Sequence, residues 1–221
     1  MDNQAIITGD IVESSSLEMN QRKALLKSLK AFFEKMPEGV EDEIFIKNSF
    51  EIFRGDSFQG FVLSIEESLR FSLLLRVYLM SEFHSGMKLD ARIAIGIGKP
   101  YFKAKKIIHS DGEAFQNSGR LLDNMKNLPQ KIALQSPILQ VNEELNVGLI
   151  LLESIISKWT NLQADVIFLK LKGFTEVVIA QRLGIAQSAV NQRSKAAGWA
   201  AVDAFLKRYH QVIKQNFVSN L

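Results

Sequence analysis

The first 140 residues switch repeatedly between the two hydrophobic periods that are typical of strands and helices. Residues 5–12 form a β-branched apolar run that predicts a buried strand, and one acid, Asp10, lies inside it. Residues 21–36 place apolar side chains at helical spacing and stop before Pro37. The chain is therefore predicted to open with a strand followed by a helix.

A hairpin is predicted next. Residues 44–54 and 57–63 are two strand-like runs that are joined by Gly55 and Asp56. A two-residue connection led by glycine favours a type II′ turn. The carboxylate of Asp56 is then expected at the tip of the hairpin.

Two Ser–Glu pairs have the spacing of a helix-capping box. Ser64 is followed three residues later by Glu67, and Ser110 is followed in the same way by Glu113. Each pair precedes a helical pattern of apolar residues, which ends near position 83 in the first case and near 126 in the second. The sequence therefore predicts two helices that begin at these serines.

Two further strands complete the pattern. Residues 89–98 and 131–135 have strand character, and residues 103–106 suit a turn or a strand edge. This order predicts an α+β domain over residues 1–140, in which helices cover one face of a mixed sheet. From residue 141 only helical periodicity remains, so an all-α domain is expected over residues 141–221.

Part of the helical region has the spacing of a helix-turn-helix, which we place at residues 175–197. Counted from Glu176 as position 1, Ala180, Gly184 and Val190 occupy positions 5, 9 and 15. A small residue lets two helices approach, glycine tolerates positive φ in the turn, and a β-branched residue packs the second helix on the first. A plain helical hairpin with the same spacing is the alternative.

The second helix of this unit, residues 187–195, offers polar side chains of the types that read base edges or bind phosphates in a major groove. Thr175 is expected to cap the first helix. The candidate DNA-binding residues are Thr175, Gln187, Ser188, Asn191, Gln192, Arg193 and Lys195. For each of them an ordinary solvated helix face is the alternative, and the sequence leaves both interpretations open.

Charge is divided unevenly along the chain. The sequence holds 27 basic and 24 acidic residues, a net charge of +3. Residues 158–221 hold nine Lys or Arg and three Asp or Glu, a net of +6, so the preceding residues carry −3. This asymmetry indicates that the carboxyl-terminal part binds a polyanion, with double-stranded DNA as the first candidate. A basic surface that is merely solvated is the alternative.

Composition excludes several classes of protein. The chain has no cysteine, which excludes disulfide scaffolds, thiolate metal sites and thiol nucleophiles. The first residues lack the basic segment and apolar run of a secretory signal, and the longest apolar stretch, residues 147–156, is about half a membrane span. We therefore expect a cytoplasmic protein that does not associate with membranes.

Asp10 and Asp56 are the candidate metal ligands. If the first strand and the hairpin are neighbours in the sheet, their carboxylates can face one cation. Paired carboxylates together with phosphate oxygens are suited to Mg²⁺. The alternative is a strand-end aspartate and a turn aspartate that make only local hydrogen bonds.

Four motifs resemble, in order, those of class III nucleotidyl cyclase domains, which have a ferredoxin-type, palm-like sheet. The motifs are residues 9–12 (GDIV), 54–58 (RGDSF), 92–98 (RIAIGIG) and 112–121 (GEAFQNSGRL). The resemblance implies that Asp10 and Asp56 bind Mg²⁺ and that Arg120 contacts the phosphates of a nucleotide and stabilises the transferring one. Gln116 occupies the place of a catalytic Asn, and Ile52 that of a purine-selecting Lys. A homodimer is also implied, because the two half-sites of the family meet across one.

Nearly the whole chain, including residues 184–199 (GIAQSAVNQRSKAAGW), is similar to the SatD family of bacterial proteins. These features predict a DNA-binding regulatory protein whose amino-terminal domain dimerises and senses a nucleotide. One alternative is an enzyme that forms a cyclic or linked nucleotide and has a helical tail for dimerisation or partner binding. Another is a tail that binds protein or RNA.

Overall fold

Strands and helices alternate in the first part of the chain and helices follow in the second. The computed structural model describes residues 2–34, 50–53, 55–82, 89–101 and 110–218. The first elements are β1 (Gln4–Ile11), α1 (Met19–Glu34), β2 (Phe50–Phe53), β3 (Ser57–Val62), α2 (Ser68–Glu82), β4 (Ala91–Gly98), β5 (Pro100–Tyr101), β6 (Asp111–Gly112), α3 (Glu113–Asn124) and β7 (Ile132–Gln135). The later elements are α4 (Leu139–Ile156), α5 (Asn161–Leu171), α6 (Glu176–Leu183), α7 (Gln187–Ala196) and α8 (Trp199–Phe217). The predicted α+β class is confirmed.

Some predicted boundaries lie outside the described residues. These are the end of the first helix at 36, most of the first hairpin strand at 44–49, the end of the second helix at 83 and the turn at 103–106. They stay predictions.

The main sheet is mixed, as predicted, and has the strand order β2-β3-β1-β4-β7. The central strand β1 is antiparallel to both β3 and β4, whereas β4 and β7 are parallel. Asp10 on β1 therefore has Ser57 on one side and Arg92 on the other. The short strands β5 and β6 pair in a separate ribbon that the hydrophobic pattern did not predict.

Helices cover both faces of the sheet, so the prediction of one covered face is wrong. Successive side chains of a strand point to opposite faces. Ile7 lies in the core that contains α1 and α2, whereas Ile6 packs against Ala114 of α3. On the α3 face Thr8 Oγ1 donates a hydrogen bond to Ser118 Oγ at 2.8 Å. The run at β1 is apolar without alternation because both of its faces are buried.

The β2–β3 connection is longer than predicted. Phe53 pairs with Ser57, which leaves three residues between the paired positions instead of two. The two-residue turn is therefore wrong in length. Gly55 does have a positive φ of 85°, a conformation that glycine adopts readily and that three-residue hairpin connections use.

Neither predicted capping box forms. Ser64 makes no side-chain capping bond, because a short 3₁₀ turn intervenes and α2 begins only at Ser68. Ser110 is separated from the start of α3 by β6, whose pairing keeps the backbone extended. The carboxylate of Glu113 instead accepts a hydrogen bond from Lys99 N at 3.3 Å.

The carboxyl-terminal helices α4, α5 and α8 share a core with the sheet. One continuous cluster of buried apolar residues includes side chains from α2, β4 and all three helices. Tyr209 of α8 is fully buried, and its hydroxyl lies 2.7 Å from Ser68 Oγ of α2. The division into domains near residue 140 stays a prediction, but the two parts do not have independent cores.

A buried ionic cluster joins α2, β4 and α4. Arg76 of α2 is fully buried and makes two hydrogen bonds to Asp90, both at 2.8 Å, and two to Glu153, at 2.7 and 3.1 Å. Lys131 Nζ lies 3.3 Å from Glu153 Oε1. Burial alone would raise the pKa values of both carboxyl groups, but the charge and hydrogen bonds of Arg76 outweigh it and hold them below their usual range.

The most apolar part of the chain lies in α4, where residues 147–156 belong to a helix packed on β7 and α8. Among the helices that the structure describes, none is both long enough and apolar enough to span a membrane.

Candidate functional site

Two short helices, α6 and α7, are joined by a turn at a glycine. Thr175 caps α6 as predicted, since its Oγ1 accepts a hydrogen bond from Val178 N at 3.5 Å. Gly184 ends α6 with a φ of 63°, the left-handed conformation that was expected there. α7 begins at Gln187, as predicted, after Ala186, which makes no side-chain capping bond.

A small apolar cluster holds α6 and α7 against α5. Its buried members are Val166, Leu169, Ile179, Ala180 and Val190. This cluster is separate from the main core. Ala180 and Val190 therefore have the packing roles that their spacing predicted, and they fix the angle between the two helices.

Burial divides α7 into two faces. Val190 and Ser194, one helical turn apart, are buried. The predicted contact residues lie elsewhere on the helix: Gln187, Ser188, Gln192 and Lys195 are exposed, and Asn191 and Arg193 are half-buried. The exposed residues Ser188, Gln192 and Lys195 follow one another at spacings of four and three, so they form one continuous polar face.

One acid, Glu176, acts on the basic charge of this face, since its carboxylate interacts with Lys195 as well as with Lys170. Glu176 is the single acid in α6 and α7, and its carboxylate is paired with Lys170 Nζ at 2.9 Å. The hydrogen bond from Lys170 holds the pKa of Glu176 below its usual range. Asn191 Nδ2 lies 3.5 Å from the other oxygen of Glu176, so Asn191 is the least available of the predicted contact residues.

Gln181 and Arg182 of α6 were not among the predicted site residues, although both are exposed. The guanidinium carbon of Arg182 lies 4.2 Å from the centre of the Phe174 ring, which restrains the direction of this side chain. The sequence did contain a sign that Arg182 is exposed. Arg182 follows the buried Ala180 by two residues, which places it on the opposite side of the helix.

The end of α7 is fixed to the main core by a tryptophan. Trp159 is buried, and its Nε1 donates a hydrogen bond to Ala197 O at 2.8 Å. Trp199 is half-buried and also packs on the main core. The orientation of α7 is therefore set at both of its ends, by the Gly184 turn and by this hydrogen bond.

The second predicted site lies at the end of β1. Asp10 shares the α3 face of the sheet with Ile6 and Thr8, because all three occupy alternate positions. Arg92 from β4 binds both carboxylate oxygens of Asp10, from Nε at 2.8 Å and from Nη2 at 2.9 Å. Both side chains are partly exposed. No local pattern predicted this ion pair, which joins residues 82 positions apart.

Asp56 lies beside a small cavity near the start of α1. Its Oδ2 accepts a hydrogen bond from Ser14 Oγ at 2.5 Å, and its Oδ1 one from Ser57 Oγ at 3.2 Å. The cavity has a volume of about 210 Å³, and Asp56, Ser14 and Arg22 contribute to its lining. Nearby, Glu13 adopts a left-handed φ of 57°, which costs a non-glycine residue about 1 kcal/mol.

The carboxylate oxygens at this end of the sheet are ligands of the type that Mg²⁺ prefers. Asp10 and Asp56 lie at the adjoining ends of neighbouring strands, since Ile11 N donates to Asp56 O at 3.0 Å. Asp10 lies on the α3 face, whereas the Asp56 carboxylate lies against Ser14 and the cavity beside α1, so a metal shared by the two stays a prediction. Each carboxylate oxygen has two acceptor sites, so Asp10 keeps one free site per oxygen beside Arg92. Among the described residues no group of three or more His, Asp or Glu side chains has metal-binding geometry. Any further ligands would come from water or phosphate.

Gln116 and Arg120 lie on the exposed face of α3. Gln116 Nε2 is 3.4 Å from Asp111 Oδ1. Within the described part of the chain no hydrogen bond or ion pair connects Gln116 or Arg120 with Asp10 or Asp56. Among the described residues, the two side chains on α3 therefore make no direct polar contact with the two aspartates.

Comparison with known proteins gives one match. The SatD family model matches residues 4–214, which covers both the sheet and the carboxyl-terminal helices. The comparisons with curated proteins and with solved structures found no match. Because the family model spans nearly the whole sequence, the chain belongs to the SatD family.

Proposed function

We propose that this protein is a cytoplasmic DNA-binding regulator in which α5, α6 and α7 form a helix-turn-helix domain. The observation that carries the proposal is the division of α7 into a buried face at Val190 and Ser194 and an exposed polar face at Ser188, Gln192 and Lys195. A recognition helix needs both faces, because one packs on the domain while the other enters the major groove.

Electrostatics supports the same proposal. Lys170 neutralises Glu176, while no carboxylate of the described residues forms an ion pair with Arg193 or Lys195. Residues 158–221 have a net charge of +6. Such a surface attracts phosphates, and its polar side chains suit base edges.

DNA binding is tested by fluorescence anisotropy with a mixed-sequence duplex at several salt concentrations. Lys195→Ala is expected to weaken binding about threefold to tenfold and to reduce the slope of log K against log salt by about 1. Lys126→Ala removes the same charge from an exposed position outside the carboxyl-terminal helices, and it serves as the control. No binding of any duplex at low salt would refute the proposal. A preference for RNA of equal length would show instead that the carboxyl-terminal helices bind RNA.

The amino-terminal part is proposed to sense a nucleotide with Mg²⁺ through a ferredoxin-type, palm-like sheet. The strand order β2-β3-β1-β4 supports this, because a strand-helix-strand-strand-helix-strand unit has this arrangement in ferredoxin-like folds. Asp10 and Asp56 would hold the metal, and the cavity beside Ser14 and Arg22 would receive phosphates. Arg120 would contribute from a second copy of the chain, since among the described residues no hydrogen bond or ion pair joins it to these residues in its own copy.

An enzyme that forms a cyclic or linked nucleotide is the second candidate, favoured by the adjacent positions of Asp10 and Asp56. A thermal-shift screen of nucleoside triphosphates with and without Mg²⁺, followed by a turnover assay, separates the two candidates. Binding without turnover supports the sensor. Turnover that Asp10→Ala and Asp56→Ala abolish supports the enzyme, and the absence of any metal-dependent shift argues against both.

A further inference from the structure

Helix α4 is apolar on two sides. Its inner side belongs to the main core through Leu145, Leu149 and Leu152. Its outer side nevertheless exposes Val147 by 60% and Leu151 by 63%. Exposed large apolar residues concentrated on one helix are typical of an interaction surface.

The exposed residues of α4 form one stripe. At 100° per residue, Glu143, Val147, Ile150, Leu151 and Ser154 fall within an arc of about 100°. All five are exposed. Lys158, just beyond the end of the helix, continues the stripe. We call this set of six residues the α4 stripe.

Both charged ends of the stripe lack a partner in the chain itself. Within the described ranges neither Glu143 nor Lys158 takes part in a hydrogen bond or ion pair through its side chain. The neighbouring Glu144 differs, because it is paired with Arg208 Nη2 at 2.7 Å. The stripe therefore has an acid at its amino-terminal end, apolar residues in the middle and a base at its carboxyl-terminal end.

This pattern is self-complementary. We propose that the α4 stripe binds a second copy of this chain, with the two α4 helices antiparallel about a two-fold axis between positions 150 and 151. Ile150 and Leu151 of both copies then meet at the axis, Val147 faces Ser154, and Glu143 faces Lys158. A two-fold axis makes each of these contacts twice, as in isologous interfaces.

Two exposed leucines outside the stripe fit the same axis. Leu139 at the start of α4 is 64% exposed, and Leu162 at the start of α5 is 53% exposed. They lie at equal sequence distances from the axis and add an exposed apolar residue beyond each charged end of the stripe. An unrelated partner would not require acids, bases and apolar residues to be placed symmetrically about one point.

The interface does not depend on the proposed function. It lies on α4, whereas the proposed DNA contacts lie on α7, and it differs from the dimer that the cyclase resemblance implies. A chain that dimerises without binding DNA would therefore contradict the proposed function alone. A monomeric chain that binds DNA would contradict the α4 interface alone.

A charge-swap experiment tests the pairing of Glu143 with Lys158. The mass of the full chain is measured by sedimentation equilibrium at low salt, with circular dichroism to confirm folding. The wild type is expected to dimerise, and Glu143→Lys or Lys158→Glu is expected to raise the dimer Kd about tenfold, because each puts like charges together twice. The double variant restores the pairing with reversed signs and is expected to return to within about threefold of the wild type.

Cross-linking supplies an independent readout. The chain has no cysteine, so Leu151→Cys introduces a single thiol next to the proposed axis. Mild oxidation is expected to give a covalent dimer, whereas Met19→Cys, at a position 73% exposed on α1, is expected to give little. A monomeric wild type, a dimer that single charge reversals do not weaken, or equal cross-linking of both cysteine variants would overturn the proposal.

Discussion

The carboxyl-terminal helices are attached to the molecule in two different ways. α5 and α8 lie in the main core, where the Tyr209 hydroxyl meets Ser68 Oγ of α2 at 2.7 Å. α6 and α7 instead pack on α5 around a small separate cluster that includes Ile179 and Val190. The first set is part of the body of the protein, whereas the second carries the exposed polar face on an appendage whose stability is largely local.

The largest effect on stability is expected from removing Arg76 from the buried ionic cluster. Arg76→Met leaves Asp90 and Glu153 as buried charges without their main partner, which is expected to lower the free energy of unfolding by about 3–5 kcal/mol. Urea denaturation at pH 7 measures the loss. Arg92→Met removes an arginine from a partly exposed ion pair and is expected to cost less than about 1 kcal/mol.

The pH dependence provides a control for this interpretation. In the wild type the pKa values of Asp90 and Glu153 are lowered, so their contribution to stability is complete above about pH 4 and is lost as the pH falls through the lowered values. In Arg76→Met burial raises both pKa values and is opposed by Lys131 and backbone hydrogen bonds but no longer by Arg76, so protonation relieves part of the penalty. The stability difference between the two proteins should shrink on acidification, and an unchanged difference would contradict the role given to Arg76.

A smaller effect is expected from loosening the appendage. Val190→Ala removes two methyl groups from the small cluster, and it should cost about 2 kcal/mol locally. Hydrogen exchange should accelerate in α6 and α7 while the amides of α2 stay protected. Val177→Ala, at an exposed position on α6, should change little. Equal acceleration in α2 would show that the two regions unfold as one unit.

The smallest effect is expected on the affinity of the sheet for a divalent metal ion at Asp10. Arg92→Leu removes a positive charge beside Asp10, and it is expected to tighten binding of Mn²⁺ or Mg²⁺ about tenfold, or 1.4 kcal/mol. Calorimetric titration measures the change. Asp10→Asn should weaken binding instead. Unchanged affinity in Arg92→Leu would argue against a metal at Asp10.

Features that depend on neighbouring residues were predicted well. The apolar run at β1, the helical spacing of α1 and the spacing of Ala180, Gly184 and Val190 each depend on a local period or a local turn. The capping boxes failed at Ser64 and Ser110, because a 3₁₀ turn and the β5–β6 pairing occupy the backbone where the helices were expected to start.

Features that depend on distant residues were not predictable from one sequence. Arg92 binds Asp10 across neighbouring strands, and Arg76 binds Glu153 at a separation of 77 residues. An arginine within the apolar pattern of α2 was the single visible sign of the cluster. The apolar run of β1, which does not alternate, indicated that both faces of the sheet are buried, but it could not indicate which helices cover them.

The hydroxyl contact between Ser68 and Tyr209 spans 141 residues, and it has a consequence for the order in which the protein is made. α2 leaves the ribosome long before α5 and α8, so the apolar side chains that these two helices cover stay exposed until nearly the whole polypeptide has emerged. The nascent chain must keep this helix from other apolar surfaces throughout that interval. Translation stops or truncations before residue 209 should therefore yield aggregation-prone fragments rather than a smaller folded protein.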